Sequence, residues 1–214
     1  MNTHRCICTY LHWFGCWVAL WLLTGCASTQ SMALEDEQAQ VEVGDDAIVL
    51  LRMHTVNELK PGYPPAVLAI HVVDEATQES VAFKPRARLI SLHDGYEYLV
   101  SLRLPPGRYE ISSMTGMSFG YHIQAHFEVP LHRRVTVPGG KVLYLGRIEA
   151  RNVARIRDDQ PPAGPLLPLI DQAVTGYSDG TFQVEILNLF KEDMRLFQHV
   201  FPALNSLPVE SMPL

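Results

Sequence analysis

The tightest grouping of side chains able to do chemistry is His122, Gln124, His126 and Glu128. On a helix, His122 and His126 would stand one turn apart and share a metal ion. Tyr121, Ile123, Ala125, Phe127 and Val129 alternate with them, however, so the segment reads as a strand with its apolar face inward. Positions i and i+4 of a strand lie about 13 Å apart. Two imidazoles so placed do not meet at one zinc ion, which needs nitrogens at about 2.1 Å. His126 and Glu128, aided by a neighbouring strand, remain the weak metal candidates; the expectation is a solvated polar face with no metal. His54, His71 and His93 are dispersed single residues. His132-Arg133-Arg134 is a short basic knot, read as a solvated turn rather than a phosphate or glycan site. Ser112 and Ser113 have no positioned base. H-E-x-x-H, P-loop and G-x-G-x-x-G patterns do not occur. No catalytic residue and no cofactor is assigned, and the chain is not expected to be an enzyme. A hydrolase or metal-binding protein whose site assembles from distant residues is the contrasting reading.

The remaining reactive group is cysteine. The chain opens Met1-Asn2-Thr3-His4-Arg5, and an apolar stretch runs from about Leu11 to Leu23. As a helix of 13 residues it reaches roughly 20 Å, short of the bilayer core of about 30 Å. A charged start, a short apolar middle and small residues at the exit describe a secretory signal over residues 1–25. The exit Leu23-Thr24-Gly25-Cys26 resembles the lipobox of bacterial lipoproteins. That resemblance implies cleavage before Cys26, diacylglycerol on its thiol, and a covalent lipid as the only attached group. Ala27 and Ser28, with no Asp beside the cysteine, imply sorting to the outer membrane, on its periplasmic face. Cys6, Cys8 and Cys16 would leave with the signal and Cys26 would carry the lipid, so no thiol remains for disulfides, metal or catalysis.

About 189 residues would follow cleavage, enough for one domain with its own core. Arg5 is the only Lys or Arg of the leader, which has no acid, so the 17 Lys and Arg of the whole chain fall to 16 against 23 Asp and Glu. Such an acidic balance does not suggest nucleic acid as a partner, nor strong adhesion to anionic lipid. The lipid must do the anchoring. Residues 26–45, rich in Gln, Ser, Glu and Asp, read as a flexible tether without a periodic apolar pattern.

The elements that would carry any site are mostly strands. Tyr96, Tyr98, Val100, Leu102 and Leu104 share one face, and Glu97, Ser101 and Arg103 the other. Pro105-Pro106-Gly107 interrupts the pattern, which Tyr109 and Ile111 resume, so the pair reads as a hairpin. Further strands are expected at about 47–55, 66–73, 119–129, 133–137, 142–149 and 181–187. The fold class is mainly β: an antiparallel sandwich of roughly seven to eight strands over residues 46–204, with one C-terminal amphipathic helix. That helix spans 188–201. Asn188 is its N-cap, Phe190, Met194, Phe197 and Phe201 share a face, and Pro202 ends it. Residues 150–176 form a long excursion. Its apolar run, Leu166, Leu167, Leu169 and Ile170, either tucks into the sandwich or, exposed, forms a partner surface. Residues 205–214 read as a loose tail.

Leu104-Pro105-Pro106-Gly107-Arg108-Tyr109-Glu110-Ile111 resembles the "L-x-P-G-x-Y-x-I" hairpin of transthyretin-like and carboxypeptidase-regulatory-like sandwiches. Pro138-Gly139-Gly140-Lys141-Val142-Leu143-Tyr144-Leu145-Gly146, with a late acidic helix ending in Phe201-Pro202, is similar to small bacterial lipoproteins of that fold. Val56-Asn57 and Pro64-Pro65-Ala66-Val67 resemble the early loop of the transthyretin-like lipoprotein of type VI secretion, a second reading from which the Pro105–Tyr109 segment departs. Families of this kind mostly have no assigned activity, so the resemblance implies little of function; the favoured expectation is a non-enzymatic binding or scaffolding module. It would be held to the outer membrane by lipid and partnered by another envelope protein.

Overall fold

The computed structural model describes residues 29–91, 93–120, 123–165 and 173–214. In chain order the strands are β1 (Thr29–Gln30), β2 (Ala47–Asn57), β3 (Ala66–Asp74), β4 (Ser80–Phe83), β5 (Arg88–Ser91), β6 (Gly95–Leu104), β7 (Gly107–Phe119), β8 (Gln124–Val137), β9 (Lys141–Ala154), β10 (Gly180–Leu187) and β11 (Val209–Ser211). One α-helix, α1 (Phe190–Val200), lies between β10 and β11. The strands make two sheets, ordered β1-β4-β3-β7-β8 and β10-β9-β2-β6-β5, with β11 added to β9.

One face of each sheet is apolar, and these faces enclose the main core. Val49, Leu51, Met53, Tyr98, Val100 and Leu143 come from one sheet, and Val67, Ile70, Ile111, Met114, Phe127 and Val129 from the other. A second core covers the outer face of the β2-β6-β9 sheet. There Ile48, Leu50, Leu99 and Tyr144 meet Met194, Phe197 and Val200 of α1 and Leu34 of the N-terminal segment.

The mainly β class and the single helix match expectation; the details differ. Eleven strands are present among the described residues, because short β1, β4, β5 and β11 carry too few alternations to stand out. Residues 119–129 and 133–137 are not two strands: β7 runs to Phe119, and β8 is continuous across a bulge at His132, whose φ is 49°. The sheets are mixed rather than antiparallel. β2 pairs parallel with β9 along nearly its whole length, and β1–β4 and β11–β9 are also parallel. Pro105-Pro106-Gly107 is not a hairpin turn. β6 belongs to one sheet and β7 to the other, so this turn carries the chain across the core, with the Tyr109 hydroxyl donating to the Pro105 carbonyl at 3.0 Å. Local alternation is the same on either side of a hairpin and of a sheet-to-sheet crossing, so it does not choose between them.

The ends also depart from expectation. Residues 29–45 lie against the fold instead of running free: Leu34 is buried, and the Ala33 and Leu34 amides donate to the Ser101 carbonyl and hydroxyl at 2.7 and 2.9 Å. Arg103 holds the carbonyls of Glu42 and Val43. The 205–214 tail supplies β11. Leu189, not Asn188, precedes α1, and no side chain caps it; Asn188 instead contacts the Ser211 hydroxyl at 3.5 Å. Cys26, His122 and the run Leu166, Leu167, Leu169 and Ile170 lie outside the described residues.

Candidate functional site

A concavity lies on the outer face of the β3-β7-β8 sheet. Leu68 of β3, Thr115 and Met117 of β7, and His126 and Glu128 of β8 face outward there, across the register pairs Thr115–Glu128 and Met117–His126. They line a shallow groove of about 550 Å³, mostly apolar, walled on one side by Pro162–Pro165. That wall is fixed by backbone bonds. The Glu128 amide donates to the Ala163 carbonyl at 3.0 Å, the Ala163 amide to Gly180 at 2.8 Å, and the Gly164 amide to Tyr177 at 3.0 Å. Beneath the floor, Phe127 stacks on Tyr177 at 5.6 Å between ring centres. Gly116 is required at this depth. A Cβ on it would lie 2.1 Å from the Ala66 carbonyl oxygen and 2.6 Å from the Phe127 ring. Leu68 is 43% exposed and Phe119, at the end of β7, is 52% exposed.

His126 and Glu128 are therefore neighbours on one exposed strand face, as alternation requires. Among the described residues no three His, Cys, Asp or Glu come together as a metal site. His71 is bonded to the Thr115 hydroxyl at 2.8 Å. The basic knot is partly tied: His132 meets Glu110 at 2.8 Å and Arg134 meets Glu75 at 3.1 Å. Ser112 donates to the His71 carbonyl.

Sequence reasoning missed the largest charged cluster, on the outer face of the other sheet where α1 lands. Asp193, in the first turn of α1, is fully buried. It accepts from Arg52 Nη1 at 2.8 Å, from Tyr144 Oη at 2.6 Å and from Arg147 Nε at 3.1 Å; a further Arg147 nitrogen also contacts it. Arg52 also binds Glu97, and Arg147 binds Glu192 at 2.6 Å. Strand alternation would put Tyr144 and Arg147, three residues apart, on opposite faces. A bulge at Gly146, whose φ is 120°, shifts the register by one and turns both toward the helix. Burial opposes ionisation of Asp193, but the bonds from Arg147, Tyr144 and Arg52 outweigh it and hold its carboxyl below the ordinary value. Burial and Asp193 together push the Tyr144 hydroxyl up. The buried carboxylate is occupied on both oxygens by Arg52, Tyr144 and Arg147, so its chemistry is that of a latch.

One step further along the same strands, His54 of β2 sits between Glu149 and the Asp94 carbonyl, 2.6 Å from each. The bond to Glu149 raises its pKa against the opposing effect of burial, and the Asp94 carbonyl adds to the rise. At the far end of β2 and β9, Asn57 gives both amide hydrogens to the carbonyls of Tyr63 and Thr175, and its oxygen accepts from Lys60 N and Asn152 Nδ2. These bonds fasten two loops to the sheet. A legible signal existed: Arg52 and His54 are polar interruptions in an apolar strand, and Gly146 interrupts another.

A comparison with protein-family models, curated proteins and solved structures returned no match for this chain.

Proposed function

We infer that the protein is a non-enzymatic binding or scaffolding module, carried on the periplasmic face of a bacterial outer membrane by a lipid on Cys26. Its lipobox resemblance supports the anchor. β1 begins only three residues after Cys26, so a lipid there would hold the domain within about 10 Å of the bilayer surface. The observation that carries the binding role is the groove on the β3-β7-β8 sheet. It combines half-exposed apolar side chains with a backbone-fixed wall, the form of a surface that accepts a segment of another envelope protein. The charged residues are meanwhile tied into the latch beneath α1, which fixes the scaffold.

The test has two parts. Labelled palmitate is incorporated by the wild type and not by Cys26→Ser; equal incorporation refutes the anchor. A photo-crosslinking residue placed at Met117 gives one discrete adduct in cells, lost in Leu68→Glu, whereas the same residue at Glu185 gives none. An adduct that survives Leu68→Glu, or none at Met117, refutes the groove as the binding face.

A further inference from the structure

The segment joining β4 to β5 runs along the side of the fold, from the second strand of one sheet to the edge strand of the other. Lys84, Arg86 and Arg88 alternate along it and all are exposed, while Pro85 between them is buried and pins the backbone. Ile90, 54% exposed, continues the strip two residues on. The Lys84 amide donates to the Gln30 carbonyl at 2.9 Å, so the strip begins beside the first of the described residues. The acids facing it are Glu35, Asp36 and, across the β5–β6 register from Arg88, Glu97, which Arg52 already holds. Asp36 reaches Arg86 and Arg88 only at 3.7 and 3.5 Å, with side-chain exposures of 48, 62 and 44%, and Glu35 lies on the wall shared with Lys84 and Arg86.

We propose that Lys84, Arg86, Arg88 and Ile90 form a docking surface for anionic phospholipid headgroups, which lays the domain on this side against the bilayer. The proposal rests on lipidation of Cys26. The three peptide steps from that cysteine to Thr29 span at most about 11 Å. Two surfaces are then in reach of the membrane: this side, and the end formed by the 74–79 turn. The turn end presents Glu75 and Glu79, and Glu75 already holds Arg108 and Arg134. At that end the two acids are balanced by the two arginines, so an anionic surface gains little there, whereas on the strip three cations outnumber Glu35 and Asp36. Each Lys or Arg brought to such a surface favours it about fivefold at low ionic strength. The apolar Ile90 side chain beside the cations suits the headgroup boundary.

The domain has no cysteine after residue 26, so single substitutions give clean reporters. The full lipidated chain carrying Ala87→Cys or Thr77→Cys is reconstituted on vesicles of phosphatidylcholine alone or with phosphatidylglycerol, and labelled with an impermeant maleimide. The expected result is at least about fivefold slower labelling at position 87 on the anionic vesicles, with position 77 unchanged. The protection is lost at high salt and in Lys84→Gln/Arg86→Gln/Arg88→Gln. Flotation with neutral vesicles reads the anchor separately. A chain that floats with both vesicle types but labels equally at 87, or is protected at 77 instead, overturns the strip and leaves the anchor standing. A chain that floats with neither overturns both.

Discussion

Asp193 offers the sharpest test of how the helix is held. Its carboxylate is fully buried and accepts from Arg52, Tyr144 and Arg147, whose guanidinium side chains are only 18% and 12% exposed. Removing one partner of a buried pair costs about 3–5 kcal/mol, because the remaining charge is left without a counter-charge. Arg52 keeps Glu97 and Arg147 keeps Glu192, which places Asp193→Ala near the lower end, about 3 kcal/mol. For a domain of this size that corresponds to a melting temperature roughly 6–12 °C lower. All three Trp lie at positions 13, 17 and 21, so urea unfolding is followed by far-UV circular dichroism. The midpoint should fall with the slope unchanged. The sign of the pH dependence follows from the depressed folded pKa: the contribution is present above the unfolded value of about 3.9 and is lost as pH falls through the folded one. The gap between wild type and Asp193→Asn should therefore shrink below about pH 4. A loss under about 1 kcal/mol at neutral pH, or a gap independent of acid, would refute an ionic latch.

His54 behaves oppositely. Its folded pKa is raised, so its contribution is complete below about 6.5 and fades as pH rises through the folded value; the stability gap to His54→Gln should narrow in alkali, and an NMR titration midpoint at or below 6.5 sinks the idea. Leu34→Ala should cost about 2–3 kcal/mol in urea unfolding, since the side chain is buried in the second core; no change would mean the N-terminal segment is free after all. Asn57→Ala removes the bonds from its amide to the Tyr63 and Thr175 carbonyls and those its oxygen accepts from the Lys60 amide and Asn152, and should cost about 2–3 kcal/mol, read as a shift of the denaturation midpoint. Isothermal titration with zinc should give no saturable heat, because His126 and Glu128 share a strand face without a third ligand among the described residues.

Strong periodicity made β2, β3, β6 and β10 legible to within a few residues, and α1 by its stripe of Phe190, Met194 and Phe197. What alternation does not encode is the partner of each edge. Nothing in residues 47–57 announces a parallel neighbour ninety residues away, and Pro105-Pro106-Gly107 looks the same whether the chain turns back or crosses over. The polar composition of 29–45 hid one decisive apolar residue, Leu34, whose burial depends on a surface built from β2, β6 and α1. The groove was half visible: His126 and Glu128 were placed on an outward face, but Leu68 and Met117 join them only through long-range pairing. The latch was invisible because it spans 141 residues from Arg52 to Asp193 and relies on a one-residue slip at Gly146.

The central position of β2 bears on how this chain can be made. It lies between β6 and β9, and β9 is completed only by β10 and, last of all, by residues 209–211. A polypeptide delivered from its N-terminus exposes one flank of β2 until about residue 154 has emerged. Closing that separation is entropically slow, and an open strand flank invites pairing with a neighbouring molecule. Fragments ending before β9 should therefore aggregate, and a holding chaperone should favour the yield of the intact chain more than it alters the finished structure.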